Sequence, residues 1–140
     1  MNKTDLVKSW NRLSDEFDTY KENIFPGAAD NIYTLWPIFL PYIKKNIKGS
    51  SLRALDFGCG TGMFCSELKT AGFNTCGLDI SPKMISIAKY HLGKEINFSA
   101  GDYKSALKLS KKSGKFDLIT AIMVLQFVSD INKCAKYFYD

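Results

Sequence analysis

The chain has 140 residues, enough for one domain with its own hydrophobic core but not for two. Hydrophobic residues make up 46% and charged residues 24%, an ordinary globular balance, and no apolar run approaches the roughly 20 residues that span a bilayer. The net charge of +5 comes largely from the lysines within residues 104–115, which we interpret as a solvated helix and loop and not as a phosphate-binding patch, because no arginine interleaves them.

Cysteine usage and the N-terminus indicate a reducing compartment. The first residues carry no apolar signal core, so we expect a cytoplasmic protein without membrane association. Cys59, Cys65, Cys76 and Cys134 include no C-x-x-C pair, and the one histidine, His91, is distant from them in sequence. We therefore expect buried or half-buried free thiols, a surface histidine and no metal site.

The N-terminal part predicts two helices. Residues 5–22 repeat apolar side chains at intervals of three and four, which is typical of an amphipathic helix. Pro26-Gly27 predicts a turn, and residues 30–48 predict a second helix, kinked or interrupted by its two prolines, that covers one face of a sheet. Gly49 suits the cap of this second helix.

A strand, a glycine turn and a helix follow in that order. The apolar run 52–57 predicts a buried strand, and residues 63–71 are compatible with a helix. Together they form the opening half of a βαβ unit that binds a nucleotide-like ligand. Gly58 permits the sharp turn, Gly60 lets the backbone approach a ligand closely, and Gly62 lets the new helix pack close to the strand.

The spacing of the glycines favours one cofactor class over another. A dinucleotide site needs G-x-G-x-x-G, and here Met63 occupies the place of the third glycine. Asp56 stands just before the turn, where its carboxylate would repel a pyrophosphate and attract an ammonium group. These two features favour a cofactor that carries a cationic amino acid over a nicotinamide cofactor.

The next segment predicts a second strand and a second helix. Residues 73–79 read as a strand ending in Asp79, where a doubly wound fold places a carboxylate beside the glycine turn and within reach of both ribose hydroxyls. The alternative for Asp79 is a helix N-cap or loop acid. Ser81 and Pro82 predict the N-cap and first turn of the following helix.

Two more strands are predicted. Residues 96–100 alternate apolar and polar side chains as a short third strand, and Asp102 follows it, where it could also N-cap a helix over 104–109. The apolar run 116–125 predicts a long, fully buried fourth parallel strand. A last helix begins at residue 130. Its predicted packing side consists of Ile131, Cys134, Ala135 and Phe138.

Three stretches carry motifs that occur together in one family. They are Asp56 to Gly62, then Asp79-Ile80-Ser81-Pro82-Lys83-Met84-Ile85, and finally Phe116-Asp117 with the continuation Val124-Leu125-Gln126-Phe127-Val128. In these stretches the chain resembles the class I S-adenosylmethionine-dependent methyltransferases of the small-molecule type. The resemblance implies a Rossmann-like, doubly wound α/β fold with strand order 3-2-1-4.

The resemblance also implies how the cofactor is held at its sugar and amino-acid end. Asp56 would organise the ammonium group, directly or through water, and the turn residues Gly58, Cys59 and Gly60 would admit it. Asp79 would hold the ribose. Two further residues belong to this group: Ala121 and Ile122 would offer backbone to the amino-acid part.

At the adenine end the implied residues are again specific. Ile80 and Met84 would sandwich the ring, although a methionine at helical spacing is more often a core residue. Asp102 would accept a hydrogen bond from the adenine amino group, and the backbone of Tyr103 would assist.

The N-terminal segment resembles a lid. Trp10, Ser14, Phe17 and Asp18 match a loose pattern that in relatives folds over the cofactor; the alternative is a surface helix with Trp10 and Phe17 as core anchors. We therefore divide the chain into a helical lid or cover segment, 1–50, and a partial S-adenosylmethionine-binding domain, 51–140. A complete domain of this family has seven strands and four are legible here, so we expect a fragment, a truncated product or a domain completed by another chain. An exposed sheet edge would invite association.

Methyl transfer from S-adenosylmethionine to a small molecule is the function that these motifs imply. No catalytic residue is assigned, because Gln126-Phe127 stands where relatives often carry His or Glu. Nucleic acid is not expected as a substrate, since the Asn/Asp-Pro-Pro-aromatic motif of base methylation is absent after the fourth strand. The alternatives are a cofactor-binding module without turnover and, less favoured, an NAD-dependent oxidoreductase.

Overall fold

A computed structural model describes residues 2–18 and 34–139. Within them, four parallel strands form one sheet: β1 (Arg53–Phe57), β2 (Asn74–Asp79), β3 (Asn97–Ala100) and β4 (Leu118–Thr120). The order across the sheet is β3-β2-β1-β4, which confirms the predicted order and the α/β class. Because all strands are parallel, their carboxyl ends lie along one edge.

Helices cover both faces of the sheet. They are α1 (Lys3–Leu13), α2 (Trp36–Asn46), α3 (Met63–Thr70), α4 (Pro82–Leu92), α5 (Tyr103–Ser113), α6 (Ile131–Tyr139) and a short 3-10 helix at Leu125–Phe127. Alternation along β1 assigns each face: Ala54 is buried with Phe64 of α3 and Ile43 of α2, whereas Leu55 is buried with Ala106 of α5 and Cys134 of α6. The helix α2 therefore covers one face of the sheet, as predicted, and contributes Ile43 to the core on that face.

The first predicted helix is shorter than expected. It ends at Leu13, and a turn follows that takes Ser14 into the interior, where its hydroxyl donates to the carbonyl of Asn11. The apolar repeat that predicted a helix to residue 22 therefore extends beyond Leu13, where the helix ends. The expected turn at Pro26-Gly27 lies outside the described residues, as do residues 19–22.

The helix α2 differs from its prediction at its end. Pro37 lies in its first turn, where no helical hydrogen bond is lost, and Pro41 lies inside a helix that is not interrupted. Gly49 is not the cap: α2 ends at Asn46, and its C-cap is Ile47, which has an extended backbone and whose N–H still donates to the carbonyl of Ile43.

The fourth strand is the largest correction. Instead of a long, fully buried strand over 116–125, β4 has three half-buried residues. Among the described residues it pairs only with β1, so its outer edge is uncovered. Met123 then adopts a positive φ of 55°, which a strand cannot accommodate, and the chain turns so that Val124 packs against Gly58.

Smaller predictions have mixed outcomes. All four cysteines are buried free thiols, as expected, and the lysines of residues 104–115 are exposed. In α6, Cys134 is buried and Phe138 packs edge-on against Phe57 with ring centroids 5.1 Å apart, but Ile131 and Ala135 are exposed. Among the helices that the structure describes, none has the length and apolarity needed to cross a membrane.

Candidate functional site

The glycine turn after β1 leaves room on its outer side. Gly60 has a φ of 53°, and a Cβ built there would meet no heavy atom within 4 Å, so open space lies beside its backbone. Gly58 differs, because a Cβ there would lie 2.5 Å from a methyl of Val124. Gly62 was predicted to let the helix pack close to β1, but a Cβ built at Gly62 would instead meet Phe98 of β3 and Ala88 of α4.

Asp79 joins the glycine turn to the start of α4. One carboxylate oxygen accepts from the backbone N–H of Gly60 at 2.9 Å and the other from that of Ser81 at 2.8 Å. Burial raises the pKa of Asp79, and the backbone N–H groups oppose that rise. The N-cap of α4 is Ser81, so the N-cap alternative for Asp79 is wrong, while its contacts with Gly60 and Ser81 agree with the loop-acid alternative. The backbone N–H of Ile80 also acts on this carboxylate, so three of its roughly four lone-pair sites have donors and one remains for a ligand hydroxyl.

Asp56 lies at the end of β1, only 3% exposed. Its Oδ1 accepts from the hydroxyl of Thr120 at 2.7 Å, and its Oδ2 contacts the thiol of Cys65 at 3.6 Å. Burial raises its pKa to about 6. Among the described residues no Lys, Arg or His side chain pairs with it. The site therefore contains a buried carboxyl without a cationic partner.

The residues predicted to contact adenine lie around the ends of β2 and β3. Met84 is buried at the start of α4, and Ile80 is half-buried. Asp102 N-caps α5 by accepting from the backbone of Lys104 at 3.1 Å, so the capping alternative describes it correctly. Tyr103 begins α5 and packs edge-on against Tyr137.

Asp102 also has a charged partner that the sequence did not reveal. The amino group of Lys3 lies 2.7 Å from its Oδ2. Burial acts to raise the pKa of Asp102, but the hydrogen bonds and charges of Lys3 and Lys104 together outweigh it, so the pKa lies below its ordinary value. A ligand group that donates to this carboxylate oxygen must share the oxygen with the amino group of Lys3 or displace that amino group.

The segment after β4 lies beside the turn. Ala121 and Ile122 follow β4 directly and are half-buried on opposite faces, Ala121 against the α5 and α6 side and Ile122 against the α2 and α3 side. A cavity of about 410 Å³ opens here; its lining is apolar apart from Thr120. The predicted residues are thus brought to one edge of the sheet, with Asp56 and Asp79 at the glycine turn and Asp102 one strand further.

The N-terminal segment contacts the chain after every described strand. Thr61 donates to the carbonyl of Phe17 after β1, and the side chain of Asn11 accepts from the Ser81 hydroxyl at 2.7 Å after β2. Lys3 pairs with Asp102 after β3. The ring of Trp10 lies 5.3 Å from that of Phe127 after β4. The predicted pattern included Trp10 and Phe17 but missed Lys3 and Asn11, whose partners lie 70 or more positions away.

Comparisons with known proteins decide the family. A family model described as a methyltransferase domain matches residues 20–140, most of the chain. The chain belongs to the S-adenosylmethionine-dependent methyltransferase family.

Within the part that the structure describes, no group of three His, Cys, Asp or Glu residues is placed to hold a metal ion.

Curated relatives extend well beyond this chain. The ubiquinone biosynthesis O-methyltransferase of Coxiella burnetii (strain RSA 493 / Nine Mile phase I) is 30% identical over 113 residues, covering 79% of this chain and 47% of that protein. The Xylella fastidiosa (strain 9a5c) protein of the same name is 31% identical over 116 residues, covering 78% and 46%. The chain spans about half the length of the curated relatives that it matches.

Solved structures agree on the fold. The magnesium protoporphyrin IX methyltransferase ChlM of Synechocystis PCC 6803 with bound SAH superposes with a TM-score of 0.76 at 18% identity, covering 98% of this chain and 66% of that one. The [4+2]-cyclase SpnF superposes with a TM-score of 0.71, also at 18% identity, covering 98% and 55%. Because a cyclase shares this fold, the fold alone does not assign methyl transfer.

Proposed function

We propose that the protein binds S-adenosylmethionine at the carboxyl edge of the sheet and transfers its methyl group to a small-molecule acceptor. The observation that supports this most strongly is the hydrogen bond between Asp79 and the backbone N–H of Gly60. It places a carboxylate with spare acceptor capacity directly beside the open side of the glycine turn. Hydroxyl donors, such as those of a ribose, fit this arrangement.

The buried carboxyl of Asp56 fits the amino group of the cofactor. A buried charge is costly unless it is compensated, and no described cation compensates this one. A cationic group reaching it, directly or through water, would relieve that cost. The turn residues Gly58, Cys59 and Gly60 would line the approach, and the backbone of Ala121 and Ile122 would flank it.

The adenine ring would lie between Ile80 and Met84, at the start of α4. Asp102 would accept from its amino group, with the backbone of Tyr103 beside it. This requires Asp102 to exchange or share its contact with Lys3. We propose that α1 forms the lid over this position, because its segment contacts the chain after all four described strands.

The cofactor supplies a methyl group already activated by a sulfonium, so this chain has to orient the reactants and exclude water. Such alignment can supply about 7–11 kcal/mol of a barrier. No catalytic acid or base is assigned. The apolar lining of the cavity beside β4 favours an acceptor with an apolar portion, and the names of the curated relatives favour an oxygen as the methylated atom.

Calorimetry with S-adenosylhomocysteine and with NAD tests the binding half of the proposal. We expect micromolar binding of S-adenosylhomocysteine and none of NAD, because Met63 begins α3 where a dinucleotide site needs glycine. Binding of NAD alone would overturn the proposal in favour of the oxidoreductase alternative.

Turnover needs a separate experiment. The alternative of a binding module without turnover is motivated by the share of the relatives that the chain spans. Incubation with methyl-labelled S-adenosylmethionine and a panel of apolar phenols should give labelled product. Binding without any labelled product across the panel would favour the module, whereas label above background excludes it.

Association is a further proposal. The outer edge of β4 is unpaired within the described residues, and Met123 beside it is 64% exposed. We propose that a second polypeptide strand pairs there, because unpaired edges template strand addition. Light scattering at increasing protein concentration checks this, and a monomer at every concentration would argue against self-association.

Cytoplasmic location and the exclusion of nucleic acid stay predictions.

A further inference from the structure

One hydroxyl links the edge strand to the buried carboxyl of the site. Thr120 is the last residue of β4, and it pairs in register with Asp56 of β1. Paired residues of neighbouring strands point to the same face, and here the Thr120 hydroxyl donates to Asp56 Oδ1 at 2.7 Å. The carbonyl of Leu55 is a second, longer acceptor at 3.5 Å, so the single hydroxyl proton goes to Asp56.

The other groups that face Asp56 are weaker or unfavourable. Cys65 of α3 offers a thiol at 3.6 Å, and Cys59 of the turn lies close to that thiol. Burial raises the pKa of both thiols, so they stay neutral, and S–H groups are weak donors. Asp79 of β2 adds a repulsive charge. Among the described residues, Thr120 is therefore the principal donor that favours an ionised Asp56.

We propose that Thr120 is a positioning residue for the amino group of the cofactor: its hydroxyl fixes the orientation of the Asp56 carboxylate and keeps it charged inside the fold. This inference rests on the proposed function, in which Asp56 compensates that amino group. Thr120 itself need not touch the cofactor. Its effect is exerted through Asp56, and so it has a signature that depends on pH.

Thr120→Val removes the hydroxyl while keeping the shape of the side chain. Without that hydrogen bond the pKa of Asp56, about 6 in the wild type, should rise further. Hydrogen bonds to charged groups imply a rise of about one to two units. Because the ionised carboxylate binds the cationic amino group, the affinity for S-adenosylhomocysteine should fall, as the pH is lowered, at a higher pH in the variant than in the wild type.

The experiment has two readouts and two matched variants. Carbon-13 NMR of the Asp56 carboxyl gives its pKa in the free protein, and calorimetry with S-adenosylhomocysteine gives affinity across pH. Thr120→Ser, which restores a hydroxyl, should return both midpoints to those of the wild type. Thr75→Val is the control, because Thr75 is a buried threonine of β2 whose hydroxyl bonds to the Phe73 carbonyl away from the site; its midpoints should stay unchanged.

The outcomes separate this inference from the proposed function. An unchanged Asp56 pKa in Thr120→Val overturns the inference, whether or not S-adenosylhomocysteine binds. A raised pKa with no change in the pH profile of binding also overturns it, because Asp56 would then not act on the amino group. Absence of binding by the wild type at any pH overturns the proposed function. If Thr120→Val does not fold, Thr120→Cys, with its weaker donor, should give an Asp56 pKa above that of the wild type, and an unchanged pKa in that variant overturns the inference as well.

Discussion

The strands β2 and β4 flank β1 in one sheet but differ in what surrounds them. β2 has a partner on each side and its residue Leu78 has no exposed surface, whereas β4 pairs on one side within the described residues and its Ile119 is half-buried. Each ends in a polar side chain, Asp79 and Thr120. Asp79 binds the glycine turn itself, while Thr120 acts on Asp56. The interior strand β2 thus contacts the glycine turn directly through its last residue, whereas the edge strand β4 contacts Asp56 of the neighbouring strand β1.

The largest expected effect concerns stability. Leu78→Ala should lower the free energy of unfolding by about 2–5 kcal/mol, because it leaves a cavity in the centre of the sheet. Ile119→Ala should cost less, about 1–2 kcal/mol, since part of its side chain already contacts solvent. Urea denaturation measures both. Equal losses would mean that the outer side of β4 is covered in solution, and the contrast between the strands would disappear.

Asp56, between the two strands, should show a cost that depends on pH. Its pKa is raised to about 6, so ionisation disfavours the folded state above that pH by about 3 kcal/mol, and the cost is removed as pH falls from about 6 to about 4. The free energy of unfolding of Asp56→Asn should therefore exceed that of the wild type at about pH 8, and this difference should disappear at about pH 4. Denaturation across pH checks the sign.

A matched control distinguishes this effect from general charge removal. Asp117→Asn removes an exposed acid at the opposite end of the sheet, where it accepts from the backbone of Arg53. It should show no comparable gain at high pH. If Asp56→Asn were more stable by the same amount at every pH, the gain would come from packing and not from ionisation.

Cofactor affinity should depend on the end of β2 directly. Asp79→Ala should weaken binding of S-adenosylhomocysteine by about 10- to 100-fold, the range expected for lost charge-assisted hydrogen bonds. Asp130→Ala removes an exposed acid that caps α6, and it should leave affinity unchanged. Calorimetry at neutral pH compares them. Equal affinity in Asp79→Ala and the wild type would remove Asp79 from the site.

The smallest effects concern the contacts of α1. Asn11→Ala removes the partner of the Ser81 hydroxyl and should cost about 1 kcal/mol of unfolding free energy. Lys3→Met removes a largely exposed ion pair and should cost less than about 0.5 kcal/mol. Thermal melts at low and high salt compare the two. A larger and salt-sensitive loss in Lys3→Met would show that the ion pair, not the hydrogen bond, holds α1.

The centre of the fold was predictable because its signals are local. The glycine turn, the Ser81 cap and the alternation of residues 96–100 that predicts β3 each depend on a few neighbouring residues, and the strand order followed from the family resemblance. The length of β4 was not predictable, because an apolar run indicates burial only when neighbouring elements cover both sides. The backbone of Met123 turns away from the sheet without any glycine or proline to mark it.

The polar contacts of the site were the least predictable. Asp56 and Asp79 were identified from their positions beside the turn, but the donor that Thr120 offers depends on the register of two strands 64 positions apart. The pairing of Lys3 with Asp102 depends likewise on where α1 lies. Such contacts leave no periodic trace in the sequence, since each is a single pair.

The two tryptophans of the chain occupy different layers. Trp10 of α1 contacts Phe127, and Trp36, the half-buried first residue of α2, contacts the buried Phe64. A Trp36→Phe variant would therefore carry a single tryptophan, located where α1 meets the segment after β4. Its emission would report optically, without any attached dye, whether that helix stays in place when a small molecule is added.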